Sequence, residues 1–166
     1  MRKAIALCAG LIVLALANYS IYSRERLLTE GHVVLLQLAP VDPRSLMQGD
    51  YMALRFQAAN DAFGRGDARK LPTDGHLILR LDERAIGTYA RLDDGSALGK
   101  NEVRMRYRIR GGQFKFATNA FFFQEGDAKK YTAAHYGEFR VASDGEAILT
   151  GLRDKNTLPL GEALRK

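Results

Sequence analysis

Hydrophobic positions divide the chain into one long apolar block and a series of short segments in which apolar residues recur at every second position. The block extends from Ala4 to Tyr22 without a charged side chain, and basic residues flank it on both sides. A helix of this length rises about 28 Å, which is close to the thickness of the hydrocarbon core of a bilayer. The block therefore predicts a transmembrane helix that is retained in the mature protein as an anchor.

A cleaved secretory signal is the alternative interpretation of the same block. Residues 15–17 (Ala-Leu-Ala) have the small-x-small pattern that signal peptidases recognise, and cleavage there gives a mature chain that starts at Asn18. In both of these membrane interpretations the rest of the chain crosses the membrane, and a buried helix of a soluble protein is the remaining interpretation. The short N-terminal segment with Arg2 and Lys3 favours a cytoplasmic N-terminus. We therefore expect a single-pass protein of the cytoplasmic (inner) membrane, with its C-terminal domain on the periplasmic or extracytoplasmic side.

From His32 onward the apolar period is mainly two, which is typical of strands. The pattern predicts strands over 32–42 and 49–61, hairpins over 76–96, 102–123 and 138–154, and one short helix within 124–137 that has Asp127 as its N-cap. Residues 121–123, three consecutive phenylalanines, are expected in the core. We predict a mainly β fold, an antiparallel sandwich or partly open barrel with one short helix, preceded by the transmembrane helix.

These elements suggest five regions within the 166 residues. They are a cytoplasmic tail (1–3), a transmembrane anchor (4–23), a juxtamembrane helical linker (24–31), a β-rich domain (32–155) and a C-terminal tail (156–166).

Composition removes several classes of function. The single cysteine, Cys8, permits neither an intrachain disulfide nor a cysteine-based zinc site. His32, His76 and His135 have no partners at metal-ligand spacing, and no nucleotide-binding or metalloprotease motif occurs. We therefore expect no metal and no cofactor. The net charge of +6 favours anionic partners only weakly, and an extracytoplasmic location argues against nucleic acid.

The segment VDPRSLMQGDYMALRF (41–56) holds the densest group of chemically versatile side chains. One interpretation is a turn between two strands, in which Arg44 pairs with Asp50 and Gly49 permits a positive φ or a close backbone approach. In the other, Asp42 and Asp50 act as paired carboxylates or cation ligands, and Arg44 binds an anion. The sequence leaves both interpretations open.

The segment EVRMRYRIR places four arginines on one face of a predicted strand: Arg104, Arg106, Arg108 and Arg110. Successive members of such a row are about 6.5 Å apart. The row is suited to binding lipid phosphates, acidic polymers or the carboxylates of a partner. The alternative is a solvated face whose charges pair with Asp and Glu side chains across the sheet.

The segment GDYMALRF resembles the signature of the bacterial GDYXXLXY protein family, which is named for that motif. Gly49, Asp50, Tyr51 and Leu54 match the signature, whereas Phe56 stands where the name requires tyrosine. The similarity extends to the N-terminal anchor and to the segments APVDPRSL, FQEG and RVASDGEAILTGL. It implies a membrane-anchored protein without an established activity that accompanies a multi-spanning membrane protein. The missing hydroxyl at Phe56 argues against a mechanism that needs a hydrogen bond from that position.

The sequence favours a non-enzymatic function, in which the β-domain binds or supports an integral membrane protein or an envelope component. The candidate binding residues come from the loop, the signature and the segment before the short helix: Asp42, Arg44, Gly49, Asp50, Tyr51, Leu54 and Glu125. One alternative is a hydrolase-like envelope enzyme that uses Asp42, Asp50 and Glu125 as acids. A further alternative is a cation- or ligand-sensing module built on the same acids. No catalytic residue is assigned, and nothing in the sequence supports a homo-oligomer.

Overall fold

The computed structural model describes residues 2–39, 47–48, 51–64, 72–111 and 113–161. The apolar block lies in α1 (Arg2–Glu30), one uninterrupted helix that also includes most of the predicted linker. Part of this helix is long and apolar enough to cross a membrane, as an anchor or as a signal sequence, and that part is not buried by the rest of the protein.

The rest of the described chain is mainly β, as predicted. Its strands are β1 (His32–Gln37), β2 (Met47–Gln48), β3 (Tyr51–Ala53), β4 (Asp74–Leu81), β5 (Ile86–Leu92), β6 (Glu102–Arg110), β7 (Gln113–Lys115), β8 (Ala120–Phe122), β9 (Tyr136–Val141), β10 (Ala147–Arg153) and β11 (Pro159–Leu160). Eight of these strands form one sheet in the order β11-β10-β9-β1-β5-β4-β6-β7, which does not close into a barrel. The strands β2, β3 and β8 form a second, smaller sheet.

The large sheet is mixed, because β1 and β5 pair in parallel while its other described strand pairs are antiparallel. A parallel pair requires a long crossover connection. The chain provides one, since it passes through the small sheet, a helix and β4 between β1 and β5. The predicted hairpins over 76–96 and 138–154 are confirmed as β4–β5 and β9–β10.

Two of the predicted strand segments differ from the structure. Only β3 is strand in the segment 49–61, and α2 (Gln57–Gly64) follows it. Ala58 and Ala62 are both buried, and their spacing of four residues is typical of a helix. The prediction missed this spacing because the strand-like alternation of the preceding residues was extended through it. The hairpin predicted over 102–123 ends at β7, because β8 pairs with β3 in the other sheet.

The short predicted helix is confirmed as a 3₁₀ helix (Asp127–Tyr131), but its N-cap is Gly126 rather than Asp127. Gly126 has a left-handed φ of 87°, a conformation that glycine adopts without a steric penalty, and no side chain caps the helix. Beyond it, β11 pairs with β10 inside the region predicted as the C-terminal tail.

The core contains side chains from both sheets and from α2. Its largest members are aromatic, and Phe56 packs edge-to-face against Phe116 and Phe139, with ring centroids 5.9 and 5.3 Å apart. A single residue, Gly31, separates α1 from β1. Leu27 of α1 is buried, and Nη1 of Arg140 donates a hydrogen bond to the Gly31 carbonyl at 3.2 Å.

Candidate functional site

Four of the candidate binding residues, Asp42, Arg44, Gly49 and Asp50, lie outside the described residues. The predicted Arg44–Asp50 pair and the convergence of the acids therefore stay predictions. The described part of the signature begins at Tyr51.

Two signature positions have a structural role. The side chains of Leu54 and Phe56 are 2% and 1% exposed, and both belong to the main core. The Leu54 amide donates a hydrogen bond to the Asn119 carbonyl at 2.7 Å, which continues the pairing of the segment with the β8 side of the small sheet. Position 56 is enclosed by core side chains, so the hydroxyl that phenylalanine lacks is not at a ligand-accessible position.

Tyr51 lies on the opposite, outward face of the small sheet. It is paired across the sheet with Phe122, and the two rings are tilted, with centroids 5.8 Å apart. Phe122 is 72% exposed, more than any other large hydrophobic side chain in the described part of the domain. We call Tyr51 and Phe122 the aromatic patch.

The alternation of the strands explains why this patch faces outward. The neighbouring pair, Met52 and Phe121, points to the other face of the sheet. Met52 is buried, and the Phe121 ring packs edge-to-face on Tyr131 with centroids 5.0 Å apart. The prediction that residues 121–123 all lie in the core was therefore wrong for Phe122. A period of two applied to the phenylalanine run would have indicated that its middle member points away from the core.

Glu125, the last candidate acid, is exposed and forms no hydrogen bond or ion pair with another described residue. No group of three or more His, Cys, Asp or Glu side chains in the described chain is arranged to hold a metal ion.

The arginine row on β6 is largely paired inside the domain. Nε of Arg104 lies 2.6 Å from Oδ2 of Asp93 in an ion pair, although the N–H is not aligned for a hydrogen bond. Arg106 pairs with Glu146, which directly precedes β10. Asp74 on the neighbouring strand β4 lies within 4.0 Å of three members of the row: Arg106, Arg108 and Arg110. The interpretation as a solvated face with cross-sheet pairs is the one that these contacts support.

The pairing leaves a small positive excess at one end of the row. Four arginines face three carboxylates, those of Asp93, Asp74 and Glu146. Arg108 and Arg110 share the single carboxylate of Asp74, at 3.4 and 3.3 Å, and their side chains are more than half exposed. This end of the row therefore retains donor hydrogens that can bind an anion.

Burial disfavours the charged form of Asp93, but hydrogen bonds from Arg104 and from the Gly95 amide outweigh it, so the pKa of Asp93 lies below its ordinary value. The carboxylate is thus held ionised as a fixed structural partner of Arg104. Its role in the described structure is to neutralise the row.

The comparisons with known proteins agree with the sequence resemblance. No curated protein and no solved structure matches the chain. The family described as GDYXXLXY protein matches residues 13–152, a range that includes the C-terminal part of α1, the small sheet, most of the large sheet and the signature. With most of its length matched, the chain belongs to the GDYXXLXY protein family.

Proposed function

We propose that the protein is a membrane-anchored, extracytoplasmic β-domain that binds an integral membrane protein as an accessory subunit. In this proposal α1 is retained in the cytoplasmic membrane, with the N-terminus inside and the two sheets on the periplasmic side. The observation that carries the proposal is the aromatic patch, in which the signature residue Tyr51 supports an exposed Phe122.

The chemistry of the patch fits a protein interface. A phenylalanine that is 72% exposed leaves apolar surface in water, and burying it against a partner is favourable. Tyrosine and phenylalanine are enriched at the centres of protein interfaces, whereas charged side chains are depleted there. The charged face of β6 differs in kind, since its arginines already have carboxylate partners within the domain.

The exposed helix supports the proposal that the partner is a membrane protein. The apolar side chains of α1 from Leu7 to Tyr22 are not covered by the domain, which suits contact with lipid or with another transmembrane helix. Anchoring both proteins in one bilayer raises their effective concentration, so that a small aromatic interface suffices for stable association. A multi-spanning membrane protein therefore fits better than a soluble partner.

The test is a cross-linking pull-down of the intact protein from membranes. We expect a stoichiometric multi-spanning protein with the unchanged chain, and a loss of capture with Phe122→Ala. Truncation of an aromatic residue at the centre of an interface typically costs about 2 kcal/mol or more, which is roughly a 30-fold loss of affinity.

Leu158→Ala is the matched control, because Leu158 is another highly exposed apolar side chain (60% exposed) outside the small sheet. Its capture should equal that of the unchanged protein. Equal capture by Phe122→Ala, or an equal loss with Leu158→Ala, would show that the aromatic patch is not the interface.

A further inference from the structure

A cleft of about 680 Å³ lies between the C-terminal part of α1 and the turn that joins β9 to β10. The helix side contributes Tyr19, Tyr22 and Arg24, and the domain side contributes Arg108 and Asp144. The turn is fixed on β6, because the amide of β6 residue 106 donates a hydrogen bond to the carbonyl of residue 145 at 2.8 Å. The domain wall of the cleft is therefore fixed to the large sheet.

The position of the cleft along α1 matches the headgroup region of a bilayer. About 20 residues are needed to cross the hydrocarbon core, so a span that begins at Ala4 ends near Ser23. Tyr19 and Tyr22 stand at the level where amphipathic rings prefer the interface, and Arg24 follows directly. The cleft thus opens where phospholipid phosphates lie.

The cations of the cleft are available for a ligand. Arg24 forms no ion pair with another described residue. The side chain of Arg108 is 53% exposed and shares the Asp74 carboxylate with two other arginines. A phosphate group is a natural acceptor for guanidinium hydrogens.

The cleft also contains an available anion. One carboxylate oxygen of Asp144 accepts the Glu146 amide at 2.9 Å, and no described cation pairs with it. The other charged groups on the walls are paired, since Arg26 bonds Glu30 at 2.7 Å and Glu146 bonds Arg106. The cleft therefore offers two cations and one anion to a ligand.

We propose that this cleft binds the headgroup of a phosphoethanolamine phospholipid, with its phosphate toward Arg24 and Arg108 and its ammonium toward Asp144. A primary ammonium donates hydrogen bonds to a carboxylate, whereas a choline headgroup has no N–H to donate. The headgroup thereby holds the domain against the membrane beside α1. This inference rests on the part of the proposed function in which α1 is retained in the bilayer.

The experiment uses the full-length protein in nanodiscs that contain equal amounts of phosphatidylethanolamine and phosphatidylcholine. Native mass spectrometry of the protein released from the discs measures which lipids it retains. We expect preferential retention of phosphatidylethanolamine, and a loss of about tenfold or more in the double variant Arg24→Gln/Arg108→Gln, as charge-assisted hydrogen bonds are removed. Asp144→Asn should reduce the preference for phosphatidylethanolamine over phosphatidylcholine.

Arg55→Gln is the matched control, since Arg55 is an exposed arginine far from the cleft. Its backbone carbonyl accepts a hydrogen bond from the Ala39 amide, which follows the C-terminal end of β1, whereas α1 adjoins the N-terminal end of that strand. It should leave lipid retention unchanged, and circular dichroism should show that all variants remain folded. Undiminished retention in the double variant, equal retention of the two lipids by the unchanged protein, or an equal loss with Arg55→Gln overturns the inference.

A soluble phosphoester is the other source of the same chemistry. Glycerophosphoethanolamine should not displace the retained lipid, because it lacks the acyl chains that keep the headgroup at the cleft. Displacement by this compound would overturn the assignment to a lipid.

N-terminal sequencing separates the failure of this inference from that of the proposed function. A mature chain that starts at Asn18 contradicts both. Retention of α1 without retention of phosphatidylethanolamine contradicts only the headgroup site. The Phe122→Ala variant should bind the lipid as the unchanged protein does, because Phe122 lies outside the cleft.

Discussion

At the scale of single residues, the backbone conformation of three turns affects the stability of the fold. Three turns, over residues 82–86, 142–146 and 154–158, have the same two backbone hydrogen bonds. The fourth residue of each turn has a positive φ, and these residues are Ala85 (61°), Gly145 (90°) and Thr157 (65°). Only Gly145 adopts that conformation without a steric penalty.

Thr157→Gly is expected to increase the free energy of unfolding by about 1 kcal/mol. A left-handed conformation costs a residue other than glycine about 1–3 kcal/mol, and a β-branched side chain adds to the strain. The larger entropy of an unfolded glycine offsets part of this gain. The turn itself should persist, because the Asp154 carboxylate accepts the amides of Asn156 and Leu158 at 2.9 and 2.8 Å.

Urea unfolding of the detergent-solubilised protein measures this difference. Thr157→Ala is the control, and it should gain less than Thr157→Gly because it keeps a Cβ atom. A decrease in stability with Thr157→Gly would show that the turn does not store strain at this position.

Charged side chains on β4, β5 and β6 connect neighbouring elements of the large sheet. Besides the Asp93–Arg104 pair, Glu102 accepts the Gly99 amide at 3.1 Å and Nη2 of Arg91 at 3.2 Å. The hydrogen bond from Gly99 and the charge of Arg91 outweigh partial burial and lower the pKa of Glu102. Both carboxylates are thus held ionised by groups on adjacent strands or turns.

Stability should decrease in acid because of these two groups. A carboxyl whose folded pKa lies below its ordinary value, 3.8 for Asp93 and 4.5 for Glu102, contributes its stabilisation above that ordinary value and loses it as the pH falls through the folded pKa. We expect an unfolding temperature that is nearly constant between about pH 7 and pH 5 and that falls below about pH 4.5.

The double variant Asp93→Asn/Glu102→Gln isolates their contribution from that of other acids. It should unfold at a lower temperature than the unchanged protein at pH 7, and the difference should shrink as the pH falls. A difference that stays constant at every pH argues against an electrostatic origin.

Elements whose pairing is local were predictable from the sequence, and elements whose pairing is distant were not. The hairpins β4–β5 and β9–β10 are marked by alternation on both sides of a short turn. The parallel β1–β5 pair and the joining of β3 with β8 depend on contacts between distant segments, which no local pattern records. α2 was missed because alternation continues through Phe56 up to its first residue.

The same distinction applies to the candidate site. Tyr51 was identified because it belongs to a recognisable motif, but its ring partner Phe122 is 71 positions away in sequence and on another strand. Pairing of the arginine row with Asp and Glu side chains across the sheet was one of the two interpretations of the sequence. Its partners Asp74, Asp93 and Glu146 were not identified, since they come from three separate segments.

At the scale of the whole molecule, the junction between α1 and β1 links the long apolar helix to the domain. Gly31 is tightly enclosed there, because a Cβ atom at this position would lie 2.4 Å from the Leu27 carbonyl oxygen and 3.1 Å from Cβ of Arg140. The Gly31 amide also donates to that Leu27 oxygen at 3.0 Å. The end of the helix and the start of the sheet are therefore packed as one unit.

Gly31→Ala should lower the free energy of unfolding by about 1–3 kcal/mol, the usual range for an added group in a well-packed site. The control is Gly64→Ala at the end of α2, where an added Cβ meets nothing within 4 Å. It should change stability little. Thermal unfolding of the full-length variants distinguishes them. Similar stability of both variants would mean that the junction accommodates an added methyl group without strain.

A junction of one residue gives the domain almost no reach. A flexible linker of n residues lets a tethered domain explore a radius of about 5–6 Å × √n, so a single residue allows no more than about 5–6 Å. With α1 retained in the bilayer, as we propose, the domain can diffuse laterally and turn about the axis of α1, and its search for a partner is confined to a thin layer above the bilayer. A protein whose complementary surface projects far from the membrane lies outside this layer, whereas one with a low extracytoplasmic profile lies within it.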